Sequence, residues 1–127
     1  MANPNIVAVT NILGGNLGWN LSATATTTLM TVAAEKIVKI NRITVANVDG
    51  SSAADVSLFV DGLTTAGATG ITPTGASATV YLAKTISVPA DATLVISDTP
   101  IYLMEGDILK GGASAASDLD LFISYEV

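Results

Sequence analysis

Carboxylates are the only side chains in this sequence that are numerous enough to suggest acid–base or metal chemistry. The chain of 127 residues has eleven Asp and Glu residues, no histidine and no cysteine. Without histidine the commonest general base and metal ligand is missing. Without cysteine there are no thiolate nucleophiles, thiolate metal sites or disulfides. A nucleophilic mechanism would therefore have to use Ser, Thr, Lys or a pair of carboxylates.

Most of the carboxylates lie next to Gly, Pro or other residues that favour turns. In such positions their ordinary role is hydrogen bonding within the turn. Asp118 and Asp120 should share one strand face and could bind a hard cation such as calcium, but we interpret them as solvated positions. Asp49 and Asp55 lack the ligand spacing of a helix-loop-helix calcium loop. The turn carboxylates are Asp49, Asp61, Asp91, Asp98, Glu105 and Asp107.

Enzymatic sugar chemistry is also disfavoured. Glycosidases need two carboxylates about 5–10 Å apart across a cleft, and aromatic platforms for a sugar are few, since Trp, Tyr and Phe make up only 5% of the chain. We therefore expect no catalytic residues, no cofactor and no resident metal, and we expect that the protein is not an enzyme.

Charge is scarce and mostly negative. Only 13% of the residues are charged, against about 25% in a typical soluble domain, and the net charge is −6. Nucleic-acid binding requires clustered Lys and Arg, and the only cluster is Lys36, Lys39 and Arg42. We expect no nucleic-acid partner. Half of the residues are hydrophobic, so with so little charge we infer that part of the surface is covered by another molecule.

The chain has no recognisable targeting segment. Its N-terminus lacks the basic start and apolar stretch of a secretory signal, and no run approaches the roughly 20 apolar residues of a membrane helix. We expect a soluble protein made in the cytoplasm of the producing cell, with no membrane partner. The length predicts one domain over 1–127.

The last third of the chain, from Lys84, predicts four short β-strands separated by turn signals, over 85–92, 94–100, 101–109 and 118–127. The final strand alternates almost perfectly between apolar and polar residues, which is the period of a strand with one buried side. Pro89, Pro100 and Gly106 lie at the joins between the earlier runs, where proline removes no ladder donor. The apolar face of the final strand is Leu119, Leu121, Ile123, Tyr125 and Val127.

The first half of the chain predicts further strands. Residues 5–13 form the first, and the glycine-rich residues 14–20 break it. A second strand is favoured over 21–33 because repeated Thr disfavours a helix. Residues 36–48 could fit a helix with Ile at every third position, but their β-branched content favours a strand. The apolar phase switches near Asn41, which predicts a β-bulge there.

Turn signals end the following strands as well. Asp-Gly pairs at Asp49 and Asp61 flank an alternating segment and predict turns. Residues 63–77 form a long connection of small residues, and such loops are usually functional or mobile. A strand then follows over 77–83. With eight to ten short strands and no helix, the sequence predicts an all-β antiparallel sandwich, jelly-roll-like.

Four apolar residues are candidates for contact with a partner. Phe59 and Phe122 each interrupt the polar face of an alternating strand, which indicates either a patch that meets another subunit or packing under a loop or second sheet. Trp19, close to Leu17 in the glycine-rich N-terminal segment, could be a plug for its own core or an anchor for a neighbour.

Four stretches of the sequence, residues 43–56, 83–95, 99–107 and 115–126, also carry a family likeness. They include Thr44-Val-Ala-Asn-Val-Asp-Gly, Thr85-Ile-Ser-Val-Pro-Ala-Asp and the closing Leu119-Asp-Leu-Phe-Ile-Ser-Tyr-Glu. Together they resemble small virion structural proteins of tailed phages, those of marine and cyanobacterial phages above all. The resemblance covers about residues 36–62 and 80–127 and is weak elsewhere. It implies a structural role and no catalytic residues.

From this resemblance and the acidic composition we expect a capsid decoration (cement) protein on the outer head surface, because a protein of this charge would be repelled by packaged DNA. We expect a homotrimer that contacts the major capsid protein by surface burial and by strand or arm exchange, with residues 1–20 as the arm. The alternative is a structural component of the neck, tail or a fibre, and one form of it is an appendage domain that binds a receptor or glycan through residues 63–77.

Overall fold

The computed structural model describes residues 12–61 and 79–127. The predicted strand over 5–13 lies mostly, and the predicted loop over 63–77 wholly, outside these residues. Nowhere in the described ranges is there a helix long and apolar enough to cross a bilayer. The described strands are β1 (Gly14–Asn20), β2 (Thr27–Thr31), β3 (Val38–Asn47), β4 (Ala54–Asp61), β5 (Thr79–Val88), β6 (Thr93–Ser97), β7 (Ile101–Leu103), β8 (Ile108–Ala113) and β9 (Leu119–Glu126).

The strands form two antiparallel sheets that pack against each other. Sheet A has the order β1-β9-β3-β6, with the short β7 also paired with β3, and sheet B has the order β2-β8-β4-β5. Except for β4 and β5, strands that are neighbours in the order of a sheet are not consecutive in the chain, because the chain passes from one sheet to the other and back. This is the strand order of a jelly roll, a sandwich built from two Greek keys. The predicted all-β sandwich is confirmed.

The core lies between the two sheets and is made by the alternating apolar positions of both. On β9 the predicted alternation is confirmed: Leu119, Leu121 and Ile123 are at most 1% exposed, and Tyr125 and Val127 pack against the core from its rim. The other fully buried side chains come from both sheets and from the β1–β2 connection: Leu21, Ile40, Ile43, Val45, Val56, Leu58, Val88 and Leu109.

The predicted bulge in β3 is also confirmed. Its pairing with β9 shifts register between Ile40 and Arg42. Ile40 on one side of the shift and Ile43 on the other are both fully buried. One extra residue in a strand reverses the face to which the following side chains point. The even-numbered apolar residues before the bulge and the odd-numbered ones after it therefore face the same core.

The glycine-rich segment is not the break that the sequence predicts. Residues 14–20 form β1, which pairs with β9 over seven consecutive residues. A Cβ atom on Gly15 would come within 2.6 Å of Cζ of Tyr125, so the tyrosine ring lies directly over the glycine backbone. An aromatic residue that covers a glycine on the neighbouring strand keeps such a segment in the sheet. Residues 14–20 of the expected arm are therefore a sheet strand.

Two other strand boundaries differ from the prediction. The runs predicted to begin at Ser77 and Thr85 form a single strand, β5, because an irregularity opposite Ser57 absorbs the extra residue. There Thr85 has a positive φ of 48°, and its N–H donates to Oγ of Ser57 at 3.0 Å. In the other case the run predicted over 101–109 is split into β7 and β8 by a tight turn at Gly106.

Candidate functional site

The outer edge of β1 is the first part of a candidate interaction surface. Leu13 and Val127 exchange both of their backbone hydrogen bonds, at 3.0 and 2.8 Å. Hydrogen-bonding direction alternates along a strand, so the odd-numbered residues of β1 bond to β9 and the even-numbered residues point their N–H and C=O groups away from it. These outward residues, all of them exposed, are Gly14, Asn16, Gly18 and Asn20.

Two of the predicted contact residues lie on the core-facing side of this edge. Leu17 is opposite Ile123 and Trp19 is opposite Leu121. Leu17 is half-buried and packs against the core, whereas the indole of Trp19 remains 36% exposed at the rim. The rim of the sandwich beside β1 thus presents a large aromatic surface to solvent.

Phe122 lies on the opposite, outward face of sheet A. It is directly opposite Gly18 on β1 and Thr44 on β3, and Thr44 is opposite Val95 on β6. Phe122 is 48% and Val95 41% exposed. These four residues, which we call the Phe122 strip, cross the whole width of sheet A and end at the free edge of β1.

Phe59 has a different environment. It is only 6% exposed, although it lies on the outward face of sheet B. The ring of Tyr81 is 5.1 Å away between centroids, and Nζ of Lys84 lies 5.0 Å from the centroid of Tyr81. On the other side Lys110 is opposite Phe59 and forms an ion pair of 3.0 Å with Asp61. Phe59 therefore offers a partner little surface of its own.

The surface around β1 is almost free of charge. No charged residue precedes Glu35 in the sequence. The carboxylates nearest to β1 belong to β9 and are engaged: Asp120 accepts a hydrogen bond of 2.6 Å from Nδ2 of Asn20, and Glu126 accepts one of 3.2 Å from Nδ2 of Asn41. A partner at this edge would meet backbone groups and neutral side chains.

Two buried carboxylates lie in the turn between β7 and β8. Glu105 accepts a hydrogen bond of 2.6 Å from the N–H of Glu35. Asp107 accepts one of 2.9 Å from the N–H of Met104 through Oδ2, while its buried Oδ1 has no partner. Burial raises the pKa of Asp107, and the hydrogen bond from Met104 opposes this shift. These contacts join the turn to the loop after β2.

The opposite end of the sandwich is organised by Asn47. Its buried amide donates to the carbonyls of Ser52 at 3.0 Å and Val88 at 2.9 Å, and its Oδ1 accepts from the N–H of Asp49 at 2.9 Å. The backbone and hydroxyl of Ser51 in turn donate to Asp49 and lower the pKa of that exposed carboxyl. These hydrogen bonds connect the end of β3 to the end of β5 and to the loop between β3 and β4, and their role is structural.

The geometry does not assemble a metal centre from the described residues, where no three Asp or Glu side chains lie close enough together to share an ion. Asp118 precedes β9, and its carbonyl accepts from the N–H of Val48. Asp120 is held by Asn20 as described above. The chemistry that the described surface supports is association through backbone hydrogen bonds and apolar contact.

Comparison of the chain with protein-family models, with curated proteins and with solved structures gave no match. The function is therefore argued from the surface described above.

Sequence reasoning missed the β1 edge and Val95 as parts of this surface. The signal was present for β1, because Leu17 and Trp19 are two residues apart with small or polar residues between and around them, which is a short period-two pattern. The three glycines of this segment, Gly14, Gly15 and Gly18, favour a turn and outweigh this short pattern. Val95 had no such signal, since it is one apolar residue within an apolar run.

Proposed function

We propose that this protein is a structural component of a phage virion that decorates the outer surface of the capsid and stabilises the shell by bridging neighbouring subunits. The observation that carries the proposal is the combination, on one sheet, of a neutral strand edge that no other described strand pairs with and the exposed Phe122 strip. Exposed apolar surface of this kind marks contact sites between proteins. Jelly rolls also recur in viral capsid proteins, which supports the resemblance drawn from the sequence.

The outer surface of the head is the position that best fits the charge. A net charge of −6 would oppose close approach to packaged DNA, whose phosphates attract clustered Lys and Arg. Sheet A carries two basic residues in the β3–β9 ladder, of which Lys39 is directly opposite the carboxylate Glu126 and Arg42 is opposite the neutral Ser124. An exterior position places the acidic protein away from the nucleic acid.

Shell stabilisation would work through contacts to the major capsid protein and to other copies of this chain, with a homotrimer as the proposed assembly. Strand exchange is one route to such contacts. Because Gly14–Asn20 already pairs with β9 of its own chain, exchange would replace this strand by the same strand of a neighbour and preserve every pairing. The connection from β1 to β2, residues 21–26, would then be the linker.

Imaging of the intact particle tests the proposal. We expect density for this sandwich on the exterior of the head, in a copy number that scales with the number of capsid subunits. We also expect heated particles that lack the protein to release their DNA at a lower temperature than complete ones. A few copies confined to one vertex would contradict decoration and would identify a neck or tail component.

A receptor- or glycan-binding role on a neck, tail or fibre is the second candidate. The jelly-roll order of the strands favours it, because the same architecture recurs in lectin domains. This role predicts that the purified protein adsorbs to host cells and binds specific glycans on an array. Absence of binding on a broad array and on host cells would exclude it. Neither candidate function uses catalysis.

A further inference from the structure

The two sheets have four lateral edges, and they are not protected equally. Natural proteins guard edge strands with bulges, proline, charge or short length, because an unguarded edge pairs with other chains. The pairing of β2 shifts register between Thr28 and Met30, and the pairing of β5 shifts twice. At the far edge of sheet A, the pairing of β6 shifts opposite Ile43, and β7 has three residues, preceded by Pro100.

None of these devices is present on β1. It pairs with β9 over seven consecutive residues without a register shift, and its sequence from Gly14 to Asn20 contains no charged residue and no proline. Its four outward-pointing residues are exposed. Within residues 12–61 and 79–127 no strand pairs with this edge. A regular, neutral edge without a partner is a template for the addition of another strand.

We propose that β1 pairs in antiparallel orientation with β1 of a second copy of this chain, about a two-fold axis at Leu17. This contact joins two copies and is separate from the contacts that would form the proposed trimer. Leu17 is the middle residue of the strand, so this register pairs the entire strand with its copy. Gly14 then faces Asn20 of the second copy, and Asn16 faces Gly18. All four outward residues bond across the contact, which gives about eight hydrogen bonds because each such pair exchanges two.

The side chains on the core-facing side are self-complementary in this register. Leu17 meets Leu17 of the second copy, and Trp19 lies opposite Gly15. Directly opposed side chains in such non-hydrogen-bonded pairs approach most closely. The large indole therefore faces a residue without a side chain, beside the ring of Tyr125 that already covers Gly15. This pairing would bury the exposed part of Trp19.

The distribution of charge favours a second copy despite the acidity of the whole chain. Two copies with a net charge of −6 repel each other, and the repulsion falls off over about 8–10 Å at moderate ionic strength. The contact strand carries no charge, and the nearest carboxylates, Asp120 and Glu126, lie one strand further away and accept hydrogen bonds. The electrostatic repulsion between two copies is therefore weak when they meet at the β1 edge.

The pairing is tested by measuring the mass of the full-length protein in solution with Gly18→Lys. A Cβ at Gly18 meets no atom within 4 Å, so the variant should fold, and circular dichroism and the melting temperature check this. The lysines would crowd the two-fold contact on both copies. We expect the mass of the wild-type assembly to halve, or its dissociation constant to rise at least tenfold. Thr93→Lys, at an exposed position of the far edge of the same sheet, is the matched control and should leave the mass unchanged.

Cysteine cross-linking tests the register, since the chain has no cysteine of its own. Leu17→Cys should give a covalent dimer under mild oxidation, and Thr93→Cys should not. Emission from Trp19, the only tryptophan, gives a second measurement: it should shift to shorter wavelength as wild-type concentration rises, but not in Gly18→Lys. A monomeric wild type, or an assembly whose mass Gly18→Lys does not alter, would overturn the pairing. Both results are independent of whether the protein binds capsids.

Discussion

Phe59 and Phe122 occupy equivalent places in the sequence pattern and opposite situations in the molecule. Each interrupts the polar face of a strand in the middle of its sheet. Phe59 lies between Tyr81 and Lys110 on the adjoining strands and is 6% exposed, whereas Phe122 lies between Gly18 and Thr44 and is 48% exposed. The cross-strand neighbours, which the local sequence does not reveal, decide which ring is covered.

This comparison separates a stabilising role from a contact role. A ring covered by its own chain contributes to the stability of the fold through the apolar area removed from water. A ring flanked by a glycine and a small residue contributes little to folding and retains its area for a partner. The neighbours of Phe59 in sheet B thus cover its ring, whereas the neighbours of Phe122 in sheet A leave its ring exposed.

Phe59→Ala should produce the largest effect. Removal of this covered ring should lower the free energy of unfolding by about 3 kcal/mol, at the lower end of the cost for a core phenylalanine because Phe59 lies on an outward face. Phe122→Ala should cost less than about 1 kcal/mol, as surface substitutions do. Urea unfolding of both variants gives the two values. Equal losses would contradict the distinction between the two rings.

Leu121→Ala compares neighbouring positions on the same strand. Leu121 is 1% exposed and faces the core next to the half-exposed Phe122. We expect a loss of about 2–4 kcal/mol from the lost transfer free energy and the cavity that remains. A loss below about 1 kcal/mol in thermal or urea unfolding would show that this face of β9 is not the buried one.

Two glycines, one in each sheet, differ in the space that a side chain would have. A Cβ at Gly111 in sheet B would lie 2.4 Å from the carbonyl oxygen of Ser57, so Gly111→Ala should cost about 1–3 kcal/mol through displaced backbone. Gly18 in sheet A is open, and Gly18→Ala should change stability by no more than about 0.5 kcal/mol. Melting temperatures measured at low protein concentration, where copies are separate, provide the test.

The pH dependence of stability should reveal the opposite environments of Asp107 and Asp49. Burial raises the pKa of Asp107, so the folded state holds its proton more tightly than the unfolded state. Its contribution to stability is then largest below the ordinary pKa of 3.8 and declines as pH rises above that value. We expect the stability of the wild type relative to Asp107→Asn to decrease as pH rises above 3.8.

The pH dependence of stability expected for Asp49 has the opposite sign and serves as the control. Hydrogen bonds from Ser51 lower the pKa of Asp49, so its contribution is present above the ordinary pKa and is lost as pH falls through the lowered value. The stability of the wild type relative to Asp49→Asn should therefore decrease towards acid. Chemical unfolding across the same pH range measures both differences, and a common sign for the two would contradict the assignment of the buried carboxylate.

The elements that could be predicted from the sequence are those whose signal is local. The alternation of β9 and the phase switch in β3 are visible in consecutive residues, because a strand with one buried face must repeat every two residues. The structure places Leu121 and Ile43 in the core as those patterns require.

The elements that could not be predicted depend on partners far away in the chain. Gly15 belongs to a strand because Tyr125, more than a hundred residues later, covers it. The irregular stretch of β5 at Thr85 depends on Ser57 of β4. The covered state of Phe59 depends on Tyr81 and Lys110. The local sequence does not indicate which distant residues will be neighbours. From the local sequence alone, the glycines of β1 therefore predict the end of a strand.

The position of β9 has a consequence for how the chain is made. It is the last of the described strands in chain order, yet it lies between β1 and β3 and joins them into one sheet. Until β9 has been synthesised, β1 lacks the described strand with which it pairs, and a fold dominated by such distant pairings forms slowly. Nascent chains would therefore expose the β1 segment until β9 has been made, and chaperones that shield unpaired strands should influence the yield of this protein more than its final stability.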